Sequence, residues 1–419
     1  MRFVWRGRPP KVAKSTLVMP VKNGGLNLPE ISIMNKAARI GWIGRMIRSP
    51  KTSFVKILEQ KIQMPMRSIV NCDLDEEWVL SRQIPTFYKE MFMWFNRSCP
   101  ATEPNTGKAV RKQIIWHNRA IVANRQTISC KKMFEHDILI IDDLVDSEGV
   151  ILSYESFTET YPTIRLNPLR YMGWCQAIPA RWRRNLIGSA PLTVQERRED
   201  PMIETNGKQM PLANLKSKFF YNELVPCRVP TAQGRWVAEG ADFGEDWHKV
   251  YEMAYKVTIS TRLQSLQHRI IHRYFPNRKF LYTRQVTDDP FCDNCGEIDT
   301  IQHYFFECSY VRKFWRELSS MINERTNAAG TIEITCYNAL FGGQQYANIV
   351  NYMILLAKQF IVMQHPHDTA PNMQAFRPVL SRIFDMEKMI AVKRSKVDEF
   401  RDRWKSFIRP GDTLELLID

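Results

Sequence analysis

The chain has 419 residues, 44% hydrophobic and 25% charged, enough for two or three domains with ordinary cores. Lysine and arginine outnumber aspartate and glutamate by 59 to 44, a net charge of +15, so a polyanion, nucleic acid first, is the partner its long-range field attracts. The cysteines are mostly single and widely spaced, unlike a secreted disulfide scaffold. The longest apolar run, MILLAKQFIVM, is too short to span a bilayer and contains Lys358, so neither export nor membrane insertion is expected.

The first fifty residues hold ten Lys or Arg against one acid, Glu30, more than half of the net charge. Arg6, Arg8, Lys11 and Lys14 open this basic arm. KNGGLNLPE then signals a turn at Gly24 and Gly25, and Ala37, Ala38, Ile40, Trp42 and Ile43 predict a helix without an acidic face.

HDILIIDDLVDSEGVILSYESF reads as a strand, a turn over 147–149 and a second strand or helix start. Asp142 and Asp143 resemble a polymerase carboxylate pair only faintly, because the accompanying aromatic residue and partner carboxylate are not recognisable; a hairpin edge is the preferred reading. ERREDPMIETNGKQMPL reads as loops joining short helices, with soft boundaries near residues 190 and 245.

Beyond Asp246 the pattern is helical: Ile259, Leu263, Leu266, Ile270 and Tyr274 fall within roughly 80° of one another and predict a buried stripe. Arg262, Arg269 and Arg273 then form a surface row, either a binding face or a solvated charged one. A last helix is expected between Pro378 and the Arg409-Pro410-Gly411 stop. In it Ile383, Ile390, Val397 and Trp404 recur every seven residues, with Met386, Phe400 and Phe407 as companions, so helix 379–409 offers a site for a protein partner. Trp404 is large for a coiled-coil seam, which favours docking on the protein's own core.

Cys292, Cys295, His303 and Cys308 have the spacing C-x2-C-x7-H-x4-C. Two cysteines two residues apart turn both sulfurs toward one point, and a later His and Cys complete a tetrahedron suited to one structural Zn2+ with no open position for water. Pro290 and the Asp-Asn-Cys-Gly turn supply the tight loop. The alternative makes Cys308 a small buried hydrophobe and His303 a surface residue. No phosphate loop, dinucleotide fingerprint, H-E-x-x-H or nucleophile elbow is present in the sequence.

Aromatic residues lie among basic ones in FVWRGR, in RYMGWCQAIPARWRRN with Arg181, Arg183 and Arg184, and in HRYFPNRKFLYTR. Rings that stack on bases beside cations that bind phosphates suit single-stranded or structured RNA or DNA, although Trp174 and Trp182 fit a core equally well.

Two stretches carry a family resemblance. FVWRGRPPKVAKSTLVMPVKNGGLNLPEI with NKAARIGWIGRMI resembles the segment after the polymerase core in reverse transcriptases of LINE-type, non-LTR retrotransposons. DWHKVYEMAYKVTISTRLQSLQHRIIHRYFPNRKFLYTRQVTDDPFCDNCGEIDTIQHYFFECSYVRKFW is similar to their carboxy-terminal region with its Cys-Cys-His-Cys knuckle, and ALFGG and LLAKQFI continue the likeness. The resemblance implies a tail that grips template RNA and target DNA. The family's aromatic-x-Asp-Asp motif and endonuclease residues have no matching positions, so no catalytic residue is expected.

The expected protein is mainly α, with helical domains, small β-hairpins and a CCHC zinc-knuckle-like element. Its segments are a basic remnant at 1–60, a helical and hairpin region at 61–190, a loop-rich connector at 191–245 and a helical domain with the knuckle at 246–419. The expected function is non-catalytic nucleic-acid binding by a carboxy-terminal fragment of a retrotransposon polyprotein, in an intracellular, nuclear or cytoplasmic ribonucleoprotein. The alternatives are an interaction module with a purely structural knuckle, or a decayed reading frame.

Overall fold

The computed structural model describes residues 10–99, 103–205, 208–326, 331–365 and 369–408. Packing divides the chain into two units, residues 29–226 and residues 1–28 together with 227–419. Composition places its cuts elsewhere; packing separates the basic segment 1–60 at Leu28 and joins its first part to the carboxy-terminal half. The protein is mainly α-helical, and the sheets among the described residues are two small antiparallel hairpins, Val122–Ala123 with Gln126–Thr127 and Met202–Thr205 with Lys208–Pro211.

In the 29–226 unit the predicted helix runs over Ile31–Arg48 and buries Ala37, Ile40, Ile43, Met46 and Ile47, a single face at helical spacing. Gly44 allows close approach there, since a Cβ would stand 2.8 Å from the Leu212 carbonyl oxygen. Trp116, Trp174 and Trp182 are all buried. The Trp116 indole donates to the Ile138 carbonyl at 2.8 Å and meets Trp174 edge to face at 5.5 Å. The two tryptophans flanking the Arg181 cluster are therefore core residues.

ILII is not a strand. Ile141–Leu144 forms a 3-10 turn, only the single bridge Val145↔Ile151 joins the two limbs, Gly149 turns at φ +87°, and the Tyr154–Thr160 helix follows. Side chains override the strand pattern: an Asp143 oxygen accepts from the Leu139 and Ile140 amides at 2.8 and 2.9 Å, which turns the backbone back on itself.

In the other unit the Asn348–Gln364 helix is the centre of the core, with Ile349 through Lys358, Phe360 and Ile361 all buried. Its nearly all-round apolarity is that of a core helix, and no helix among the described residues is long and apolar enough to cross a membrane. Around it pack the Trp247–Val257, Thr261–Ile271, Ser309–Thr326 and Met373–Lys393 helices. The KNGG turn closes on this unit: Gly24 has φ +84°, a Cβ there would lie 2.9 Å from the Tyr251 ring, and its carbonyl is hydrogen-bonded to His272 Nε2 at 2.8 Å.

The single last helix is corrected to two. Asn372 caps the first, accepting from the Ala375 amide at 2.9 Å, so the helix begins before Pro378 and carries it inside. Ser395 adopts φ +54° and the Lys396 amide returns to the Ala391 carbonyl at 2.8 Å, which ends that helix before Val397–Trp404 begins. The Arg409-Pro410-Gly411 stop lies outside the described residues.

Candidate metal centre

The four predicted ligands converge. Their donor atoms all lie within 4.8 Å of one another, and Cys292, His303 and Cys308 are buried while Cys295 is half-buried. His303 is thus not a surface residue: its Nε2 stands 3.2 Å from Cys295 Sγ, and Cys295 Sγ stands 3.7 Å from Cys308 Sγ.

Local sequence makes each half of the site. Phe291 and Ile298 form an antiparallel bridge, the Cys292 amide donates to the Glu297 carbonyl at 2.8 Å, and the Gly296 amide donates to the Cys292 carbonyl at 2.9 Å. Gly296, at φ +79°, closes this knuckle in a conformation that a side chain disfavours. The other half is a π-turn over His303–Glu307, with the Cys308 amide donating to the His303 carbonyl at 3.0 Å. Five residues along a regular α-helix would turn the side chains about 140° apart. The wider turn is what lets His303 and Cys308 meet at one point.

The centre is mounted on the core through its own aromatic residues. Phe305, inside the π-turn, is fully buried, and its carbonyl accepts from the Trp315 indole at 2.6 Å, one helix further on. Asp299 sits beside the cluster: one carboxylate oxygen accepts from the Arg278 amide at 2.7 Å, while Oδ1 is buried without a hydrogen-bond partner. Burial holds this carboxyl above the usual range. The Thr300 hydroxyl accepts from the His303 amide at 3.0 Å.

The donors fit zinc. In a tetrahedron with zinc–sulfur bonds of about 2.3 Å, two sulfurs stand about 3.75 Å apart, which the Cys295–Cys308 separation matches. Left alone, two of these thiols are poor anions: burial above all, with neighbouring sulfurs, pushes Cys308 up to about 12 and raises Cys292. A bound dication supplies the positive charge that thiolates need here. Cys292, Cys295, His303 and Cys308 would hold it, and a closed set of four protein ligands makes the site structural. Sequence reasoning found the four ligands but not the π-turn or Asp299, for which spacing carries no signal.

The remaining candidates fall into separate groups. Arg6 and Arg8 lie outside the described residues. Lys11, Lys14, Arg262 and Arg269 are exposed on the unit that carries the centre. Arg181, Arg183 and Arg184 are exposed on the Ala180–Leu186 helix of the 29–226 unit, with Arg181 paired to Glu103 at 3.1 Å. Arg273 leaves the predicted surface row, because the helix ends at Ile271 and Arg273 takes φ +58°. Its guanidinium lies 4.1 Å from the Trp236 ring centroid and pairs with Glu239 at 2.7 Å. Of the predicted stripe, Leu263, Leu266 and Ile270 are buried, Ile259 precedes the helix and is 76% exposed, and Tyr274 follows it.

Asp142 and Asp143 are ion-paired, not open for metal. Asp142 meets Arg111 at 2.7 Å and also Arg197, which reaches Asp143 at 2.6 Å.

No curated protein matches the chain. Residues 240–315 match the family of zinc-binding domains in reverse transcriptase, a span that contains all four ligands. This part of the chain is a zinc-binding domain of the reverse transcriptase type, with Cys292, Cys295, His303 and Cys308 as its possible single metal site.

Proposed function

We propose that the chain is a non-catalytic, nucleic-acid-binding carboxy-terminal part of a LINE-type, non-LTR retrotransposon reverse transcriptase, acting in an intracellular ribonucleoprotein. The observation that carries this reading is a four-donor centre inside a reverse transcriptase zinc-binding domain, in a chain with fifteen excess positive charges. Zinc held by the four donors would brace the segment between the Thr261–Ile271 and Ser309–Thr326 helices, and Arg262 and Arg269 are exposed on the first of these, which the core fixes through buried Leu263, Leu266 and Ile270. Guanidiniums on such a support bind phosphates through charge and paired N–H groups, and RNA or DNA strands are the matching polyanions.

Filter binding of the purified chain to single-stranded RNA and DNA at two salt concentrations tests this. Affinity is expected to fall steeply with salt, because each phosphate contact releases a counterion. Changing Arg262 and Arg269 together to Gln should weaken binding by about tenfold and flatten the salt slope by about 1.4, with unchanged thermal unfolding. Absence of binding at low salt would refute the reading; wild-type affinity in the double variant would move the contact elsewhere.

A further inference from the structure

The heptad row of the terminal segment does not reach the core along its whole length. Phe400, Trp404 and Phe407 are buried, whereas Met386 and Ile390 are 54% and 42% exposed. With Val379 and Ile383 these two follow the spacing i, i+4, i+7, i+11, a continuous apolar stripe about 17 Å long on the Met373–Lys393 helix. That stripe is one wall of a groove of about 560 Å³. Ile259 and Leu263 form a second wall, and Phe360 and Met363 of the Asn348–Gln364 helix form a third. Methionines at two of the walls give a surface that adapts to the side chains entering it.

Charge on the rim selects what can enter. Both acids lining the groove are engaged: Glu387 accepts from the Tyr352 hydroxyl at 2.6 Å and the Trp404 indole at 2.9 Å, and Glu399 pairs with Lys396 at 2.9 Å. Arg403 lies 3.8 Å from Glu387 and over the Tyr352 ring. Arg262 and Arg394 line the same groove, are exposed, and have no acidic partner among the described residues. An apolar trough with two unmatched guanidiniums at its edge complements a helix that is apolar on one face and acidic along its flank.

We propose that this groove takes an amphipathic helical segment of a partner protein, seated by its apolar face on the Val379–Ile390 stripe, with its acidic flank on Arg262 and Arg394. Arg262 would serve both this helix and nucleic acid, whereas the Val379–Ile390 stripe contains no phosphate-binding group, so substitutions in the stripe test the groove apart from nucleic-acid binding.

The probe is a fluorescein-labelled model peptide of about four helical turns, with leucines at i, i+3, i+4 and i+7 and glutamates on the flanks. Fluorescence anisotropy with the full chain is expected to give saturable binding. A scrambled peptide of equal charge, and one with lysine in place of glutamate, should each bind at least about tenfold more weakly. Met386→Asp with Ile390→Asp should abolish binding, and Arg394→Glu should remove the preference for the acidic peptide. These side chains are exposed, so circular dichroism and thermal unfolding should match wild type, and the Met386→Asp, Ile390→Asp chain should bind RNA as wild type does. Equal binding of the scrambled peptide would assign the effect to net charge and overturn the proposal. No binding, or binding unaffected by the stripe substitutions, would do the same. Residues 412–419, DTLELLID, carry a comparable pattern. If a chain ending at Ile408 binds the acidic peptide and the full chain does not, the groove belongs to that segment and the proposal fails.

Discussion

Each unit draws side chains of metal-ligating type together, but the two groups differ in whether their charge is balanced from within. In the 29–226 unit the fully buried Arg111 pairs with Asp142 and donates to the Asp146 and Ser189 carbonyls at 2.8 and 2.6 Å. The carboxylates of Asp142 and Asp143 are thus neutralised by guanidiniums of their own unit. In the 227–419 part, three thiols and an imidazole are gathered, and none of them is ion-paired among the described residues. Donors that carry their counter-charge are structural ion pairs; donors gathered without one call for a metal.

The contrast is broken most severely at the metal centre. Elemental analysis is expected to find one equivalent of zinc in wild type and none in Cys295→Ala or Cys308→Ala, and each substitution should cost at least about 5 kcal/mol in the unit that carries the centre, because structural zinc contributes about 10–16 kcal/mol of binding free energy. Chelator should lower the unfolding temperature of wild type and leave these variants unmoved. An unchanged melting curve with chelator would sink the structural role of zinc.

Arg111→Met should rank next. It strands the buried Asp142 carboxylate with only the partly exposed Arg197, and about 3 kcal/mol of stability should be lost in urea unfolding, with zinc content unchanged. A loss as large as that of the cysteine variants would erase the distinction between the two centres.

Lys358 sharpens the comparison with the smallest effect. It is fully buried, donates to the Leu340 carbonyl at 2.8 Å and to Gln267 Oε1, and burial holds its ammonium well below the usual lysine range. With the folded pKa depressed, the unfolded chain binds more protons between that pKa and about 10.5, so this lysine destabilises the fold at neutral pH and the penalty fades as pH rises toward 10.5. Lys358→Met should therefore gain on the order of 1–2 kcal/mol at pH 7, less what Gln267 loses as an acceptor, and the gain should shrink with rising pH. A destabilised variant at pH 7 would show that the lysine is a needed hydrogen-bond donor.

Much of the metal centre was legible because ligand chemistry is local. C-x2-C brings its own turn, and Gly296 and Pro290 mark the loop in one dimension. The helix at Ile31–Arg48 was legible for a similar reason, since its apolar period is carried by neighbours along the chain. The strand expected at ILII shows the limit, although the turn at Gly149 and the helix start at Tyr154 beyond it are where the sequence places them. ILII has strand composition, but Asp143 folded back onto two backbone amides and Asp142 met an arginine from thirty-one residues earlier, neither of which periodicity encodes. Arg273 was misplaced because a helix end at Ile271 and a left-handed residue after it redirect a side chain that spacing puts on the surface.

From sequence alone came the helical class, the basic character and the identity of the four ligands, because each is set by residue type and short-range spacing. Tertiary structure alone decided that His303 and Cys308 meet across a π-turn, that Trp174 and Trp182 belong to a core, and that the terminal heptad row divides between core and groove. Those outcomes depend on which distant side chains and carbonyls are close enough to pair, and burial makes an unpaired polar group costly enough to override local preference.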